Sequence, residues 1–288
     1  MSVATKNFLL LVSLAIITNC TTTGSQPQNG NISSPPTATV SGTSTNKLAA
    51  TEHSGKVIHV VVALCDNINQ GIVPVPERLG NGDDLKNNLY WGAAFGVKAF
   101  FTNRTSDWKL LSSALNPNSA ILERCLFKHK NKNVYLIADA YRGKEIKQCI
   151  VDFFDYAAGK KRAAMVDQDR QINIGGAADL LAYVGHDGLM DFNLESLANK
   201  QDDKPRDCVM LCCISKRYFA VPLRAAGAHP LLWTTGLMAP ESYILRTAID
   251  GWLAQENGEQ IRARAAAAYH QYQHCGLNAA RNLFATGW

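Results

Sequence analysis

The chain has 288 residues, 47% hydrophobic and 18% charged, with a net charge of +5, which suits a soluble core in one large domain or two small ones. Its basic runs go no further than Lys160-Lys161-Arg162, and no aromatic residues are interleaved with that cluster. Nucleic-acid binding therefore has little support, and no nucleic-acid partner is expected.

At the amino terminus, Lys6 precedes an apolar stretch over residues 8–17 that is too short to span a membrane, and polar Thr18-Asn19-Cys20 follows it. Residues 1–20 read as an export signal. Ile17-Thr18-Asn19-Cys20 resembles a bacterial lipoprotein lipobox, in which the cysteine receives the lipid; Asn19 stands where Gly, Ala or Ser is usual. The resemblance implies lipidation of Cys20 and attachment to a membrane of the bacterial cell envelope, with a periplasmic or secreted protein as the alternative. Residues 21–54 are dominated by Thr, Ser, Pro, Gly and Asn and bury too little apolar surface to offset their ordering entropy, so they read as a tether. Residues 55–288 form the expected folded domain. Setting Cys20 aside leaves seven of the eight cysteines without any Cys-x-x-Cys spacing, so neither a disulfide framework nor a metal site is indicated and no cofactor is expected.

The β-branched run over residues 57–64 predicts the first central strand, ending at Asp66-Asn67. A long loop with Pro74, Pro76, Gly80 and Gly82 follows. Asp83-Asp84 then opens an expected helix with Leu85, Leu89, Ala93, Gly96 and Phe100 on one face. Residues 134–138 predict a second strand, ending at Asp139, and Ile146, Ile150, Phe153 and Phe154 mark the next helix. A third strand over residues 180–185 ends at Gly185-His186, and a fourth over residues 209–213 ends at Cys212-Cys213. The fifth, residues 231–234, ends at Thr235-Gly236 before a helix with Ile244, Leu245, Ala248, Ile249, Trp252 and Leu253 on one face. Residues 260–288 read as one or two further helices. This alternation predicts an α/β fold, a three-layer α/β/α sandwich with a mostly parallel central sheet.

In an open parallel sheet, catalytic groups collect beyond the carboxyl ends of the strands. His186 is the one histidine placed on that edge; His59, His129 and His229 fall near the opposite edge, His270 and His274 in the terminal helices, and His53 in the tether. An imidazole beside a thiol converts a weakly ionised cysteine into a nucleophile. The plain structural alternative is that a Cys-Cys pair in an apolar strand is packing. Neighbouring side chains on a strand point to opposite faces, so one of Cys212 and Cys213 can meet His186.

The order of strand, Gly-His, strand, small residue, Cys resembles the caspase-like (clan CD) cysteine peptidase superfamily, which includes caspases, metacaspases, legumain, clostripain and gingipains. The resemblance spans about residues 56–255. It implies a caspase-like fold with Cys213 as nucleophile, His186 as base, a thioester intermediate and a peptide or protein substrate. It also implies an oxyanion hole built from backbone N–H groups, for which Gly188 and Cys213 are the candidates. Asp187 intervenes before Gly188 where the family has glycine directly after the histidine. The implied specificity pocket would draw on Asp66, Asp139 and Thr235 at strand ends, an acidic pocket for Arg or Lys; Arg142 would favour the opposite charge, and turn capping is the plain reading of the aspartates. Three functions follow: a cysteine endopeptidase, an inactive caspase-like domain binding a peptide or envelope partner, and an esterase or amidase using the same thiol. No Gly-x-Ser-x-Gly elbow or phosphate-cradling glycine motif is present.

Overall fold

A computed structural model describes residues 51–288, so the expected export signal, Cys20 and nearly all of the tether lie outside the described residues. The chain enters at β1 (Thr51–Glu52) and continues into β2 (Lys56–Ala63) and α1 (Val97–Asn103). A hairpin of β3 (Trp108–Leu115) and β4 (Ile121–His129) leads to β5 (Val134–Tyr141) and α2 (Ile146–Ala157). A second hairpin, β6 (Arg162–Asp167) and β7 (Arg170–Gly175), precedes β8 (Leu180–Val184) and β9 (Asp207–Leu211). The remainder is α3 (Ser215–Ala226), β10 (His229–Thr234), α4 (Ser242–Leu253), α5 (Gly258–Gln273), α6 (Leu277–Leu283) and β11 (Phe284–Ala285).

Eight strands form one mixed, mostly parallel sheet in the order β11-β10-β9-β8-β2-β5-β4-β3. The five strands anticipated from apolar runs are its parallel core, β10 through β5, and antiparallel β4, β3 and β11 extend the two sides. Both faces of the core strands are covered, which is why they read as continuous rather than alternating apolar runs. In β2, Ile58, Val60 and Val62 pack toward α1, α4 and α5, while Val57, Val61 and Ala63 pack toward α2 and α3. Burying each such Val or Ile contributes roughly 1.5–3 kcal/mol. The arrangement is α/β and compatible with three layers. A separate three-stranded sheet, β1-β7-β6, lies beside it in sequence on the α2 side, with Ile172 and Ile174 in that core.

Two expectations are corrected. The helix expected to open at Asp83 is a series of turns, and α1 begins only at Val97. The fold organises that stretch around buried Asn88, whose Oδ1 accepts from Cys65 N and Tyr90 N while Nδ2 donates to Cys65 O and Asn81 O. The chain also enters the fold ahead of residue 55, because Thr51 and Glu52 pair with Arg170 and Gln171. All seven cysteines of the described residues are free thiols; Cys65, Cys125, Cys149, Cys208 and Cys212 are buried, Cys213 is half-buried and Cys275 is exposed.

Candidate functional site

β8 and β9 are adjacent and parallel, with Val184 opposite Leu211 and Gly185 N donating to Leu211 O at 3.2 Å. His186 and Cys213 each lie two residues past that last pair, at the same carboxyl edge. The chain turns into His186 at Gly185, where φ is 154° and a Cβ would sit 2.9 Å from Ala63 O, so a side chain there would collide with β2.

His186 is buried and its Nε2 lies 2.7 Å from Asp191 Oδ2. The same oxygen accepts from Gly71 N at 2.9 Å. A carboxylate facing Nε2 fixes the hydrogen of the neutral ring on that nitrogen and leaves Nδ1 as the basic atom; among the described residues Nδ1 has no hydrogen-bond partner. The main-chain oxygen of His186 is held by Tyr183 Oη at 2.6 Å and Gly188 N at 3.1 Å. Asp191 is the residue that sequence reasoning missed. Its place depends on the short turn Gly188–Met190 bringing it back to the ring, and no periodicity announces such a turn.

Cys213 stands between β9 and α3. The strand expected to reach residue 213 ends at Leu211, so both cysteines lie in the turn beyond it; Cys212 is fully buried in the core on the α2–α3 side, whereas Cys213 is half-buried. Cys213 Sγ accepts from Met238 N at 3.4 Å and donates to Met238 O at 3.6 Å. No hydrogen bond joins it to His186 among the described residues. Burial pushes the thiol up; the Met238 N–H opposes this, and a negative charge on Asp187 adds to it. The next residue, Ile214, has φ 51° and ψ 29°, a left-handed conformation that strains a β-branched side chain by about 1–3 kcal/mol. It is held by Ile214 N donating to Gly236 O at 2.9 Å and by Ser215 N donating to Thr234 Oγ1 at 3.1 Å.

Asp187 is fully buried. Its Oδ1 accepts from Leu189 N at 3.1 Å, and its Oδ2 has no hydrogen-bond partner among the described residues. Burial pushes this carboxyl up to about 7; the Leu189 N–H pulls the other way and the charge of Asp191 adds to the rise.

The remaining sequence candidates are placed elsewhere or otherwise engaged. Gly188 N donates to His186 O, so this N–H is not aimed at a substrate; the main-chain N–H groups of Asp187 and Cys213 make no hydrogen bond to the described residues. Asp139 is not at a strand end. β5 continues to Tyr141, and Asp139 is fully buried with Arg124 Nε at 2.6 Å and His59 Nε2 at 3.0 Å. Its burial works to raise the carboxyl, but hydrogen bonds from Arg124 and His59 hold it below the ordinary range. Asp66 is at the carboxyl edge, where its two oxygens cap its own loop through Ile68 N, Asn69 N and Asn69 Nδ2. Thr235 Oγ1 donates to Asn282 O at 2.6 Å, which ties it to α6. Arg142 pairs with Asp83 at 2.6 Å. Three expected specificity residues thus have their polar groups committed within the fold.

Among the described residues no group of three or more His, Cys, Asp or Glu is placed to hold a metal ion, and no helix is long and apolar enough to cross a membrane. Comparisons with family models, with curated proteins and with solved structures give no match.

Proposed function

We propose that the chain is a caspase-like cysteine endopeptidase of the bacterial envelope, anchored by lipid on Cys20, with Cys213 as nucleophile and His186 as base. The observation that carries this reading is the pairing of His186 with Asp191 at the end of the strand next to the one that delivers Cys213. Asp191 orients the imidazole and leaves Nδ1 to take the proton from the Cys213 thiol. The thiolate then attacks the scissile carbonyl carbon, and its oxygen takes the negative charge, stabilised by the N–H groups of Asp187 and Cys213. Such donors are worth about 3–4 kcal/mol each in comparable hydrolases. The protonated His186 gives its proton to the leaving amine, a thioester remains, and water attacking that thioester releases the acid and restores the thiol. For this sequence the Met238 main chain must release Sγ, because in the resting arrangement the thiol is hydrogen-bonded to it.

A second reading is an inactive caspase-like domain that binds a peptide or envelope partner. It is favoured by the raised thiol of Cys213 and its closed pair of hydrogen bonds to Met238.

Alkylation by iodoacetamide across pH, followed by peptide mapping, separates the two. The peptidase reading expects Cys213 to label well below pH 8.5, His186→Ala to slow that labelling, and Cys213→Ala to abolish cleavage of a peptide library while Cys212→Ala retains it. A Cys213 that labels only as an ordinary thiol, with no peptide cut, overturns the peptidase reading and gives the lead to the binding domain.

A further inference from the structure

The amino-terminal edge of the sheet, opposite the candidate site, gathers cations. Lys109, Lys128, Lys130, Lys132 and Arg170 line one concavity of about 460 Å³ together with Leu111. None of the four lysines forms an ion pair with a carboxylate among the described residues; Lys128 Nζ instead donates to Asn133 Oδ1 at 3.0 Å and lies 4.2 Å over the ring of Tyr135. Lys109 and Lys128 are direct cross-strand partners, an arrangement of like charges that costs stability. Burial and the charge of Arg170 push the Lys128 ammonium down, and His53 is lowered by burial, Lys128 and Arg170. Two carboxylates stand nearby: Asp107 holds Arg246 at 2.7 Å and faces His129 at 3.4 Å, and Asp167 accepts from Tyr135 Oη at 2.9 Å while its charge partly offsets the fall at Lys128. Five cations therefore share this concavity, and its four lysines are without an ion pair among the described residues.

Two further observations say what covers it. The first described residue, Thr51, is the register partner of Arg170, so the described chain enters at this edge. Exposed apolar side chains, Leu111 in the concavity and Val166 on the neighbouring hairpin, stand beside the cations. Lysines mixed with exposed aliphatic side chains suit a lipid headgroup region, whereas single-stranded nucleic acid needs exposed aromatic platforms and Tyr135 is buried.

We propose that this edge docks on an anionic phospholipid surface. The docking needs no lipid on Cys20, although an anchor there would deliver the domain to the same surface. Eight-residue strands separate the two edges by about 25 Å, so the docked domain would hold His186 and Cys213 away from the bilayer and open to proteins in the aqueous phase.

The test is co-sedimentation of the full chain carrying Cys20→Ser with phosphatidylcholine vesicles, with and without phosphatidylglycerol, at low and high salt. The amino-terminal apolar segment and Lys6 are common to every variant, so the change caused by substitutions at the edge, relative to the parent, isolates the edge. Binding should be at least tenfold stronger with phosphatidylglycerol and should fall with salt. Each lysine contributes about a fivefold change near such a surface, so Lys130→Glu with Lys132→Glu should abolish the preference. Lys130→Arg with Lys132→Arg should keep it. Reversal of Lys86 and Lys144, exposed at the other edge, should leave it unchanged. Circular dichroism verifies that the variants are folded. Equal binding to both vesicles, equal loss from the Lys86 and Lys144 reversals, or tighter binding to single-stranded DNA or inorganic phosphate than to the vesicles would overturn the proposal.

Discussion

His186 Nε2 sits 2.7 Å from Asp191 Oδ2, an oxygen that also receives the Gly71 amide, so the candidate base is tied through one carboxylate to the loop that follows β2. The contact fixes a tautomer, and that is measurable without any substrate. Nitrogen NMR of the native protein should show His186 protonated at Nε2. In Asp191→Asn the amide can present either its oxygen or its N–H, and the tautomers should mix. On a peptide that the domain cleaves, the substitution should cost about 10² to 10⁴ in rate, with Cys213 still present and alkylatable at high pH. Full activity in Asp191→Asn would falsify the orienting role.

Asp187 should set a pH dependence of stability. Burial pushes its carboxyl up to about 7, against about 3.9 in an unfolded chain. Between those values the native state holds a proton that the unfolded chain has lost, so stability is full below about pH 4 and falls as pH rises through about 7. The loss is on the order of 4 kcal/mol as an upper figure. Asp187→Asn is neutral at every pH, and its Tm relative to the parent should rise by several degrees between pH 4 and pH 8. Alkylation of Cys213 at pH 8 should also speed up, since a negative neighbour that opposes the thiolate is gone. A Tm difference that is constant with pH removes the buried carboxyl from the account.

Strain at Ile214 predicts an inverted order of substitutions. Ile214→Ala loses side-chain burial and keeps the left-handed penalty, whereas Ile214→Gly loses the burial and escapes the penalty. The glycine variant should be the more stable by about 1 kcal/mol in urea denaturation, although glycine is normally the more costly residue. The usual order, alanine above glycine, would mean that the turn relaxes.

Asp139 should behave as a structural residue. Asp139→Ala leaves Arg124 and His59 facing a void in the core, and chemical denaturation should register a loss of about 3–5 kcal/mol. The pH profile of Cys213 labelling in the folded variant should match the parent. A changed substrate charge preference in Asp139→Asn, with stability intact, would restore it to a binding role.

The parallel core was legible because each of its strands is buried on both faces and therefore reads as an unbroken apolar run. β4 does not read as a strand because Glu123, Arg124 and Lys128 interrupt its apolar run; Glu123 is held by Lys98 and Trp91 and Arg124 by Asp139. β3 lies at the sheet margin, with most of its residues exposed, so no core face marks it. The spacing of Leu85, Leu89 and Ala93 imitates a helix, yet Gly92 and Gly96 sit against the backbone of Leu85, Lys86 and Trp91, where a Cβ would lie 2.3–2.5 Å from those atoms. Such close approach is a tertiary fact that periodicity does not carry. At the site, the strand-end positions of His186 and Cys213 followed from the runs themselves. Asp139 reads as an edge residue in the sequence because the apolar run stops at Ala138, three residues short of Tyr141, whereas β5 carries it into the strand interior.

Folding is what keeps five of the seven described thiols away from oxidants, since only Cys213 and Cys275 have any reach to solvent. Melting in air therefore frees all seven together, and chains joined by new sulfur–sulfur bonds no longer return to the native state. The apparent midpoint would then move with heating rate and protein concentration and would report how fast the domain opens. With a reductant present throughout, the same scan regains its equilibrium meaning.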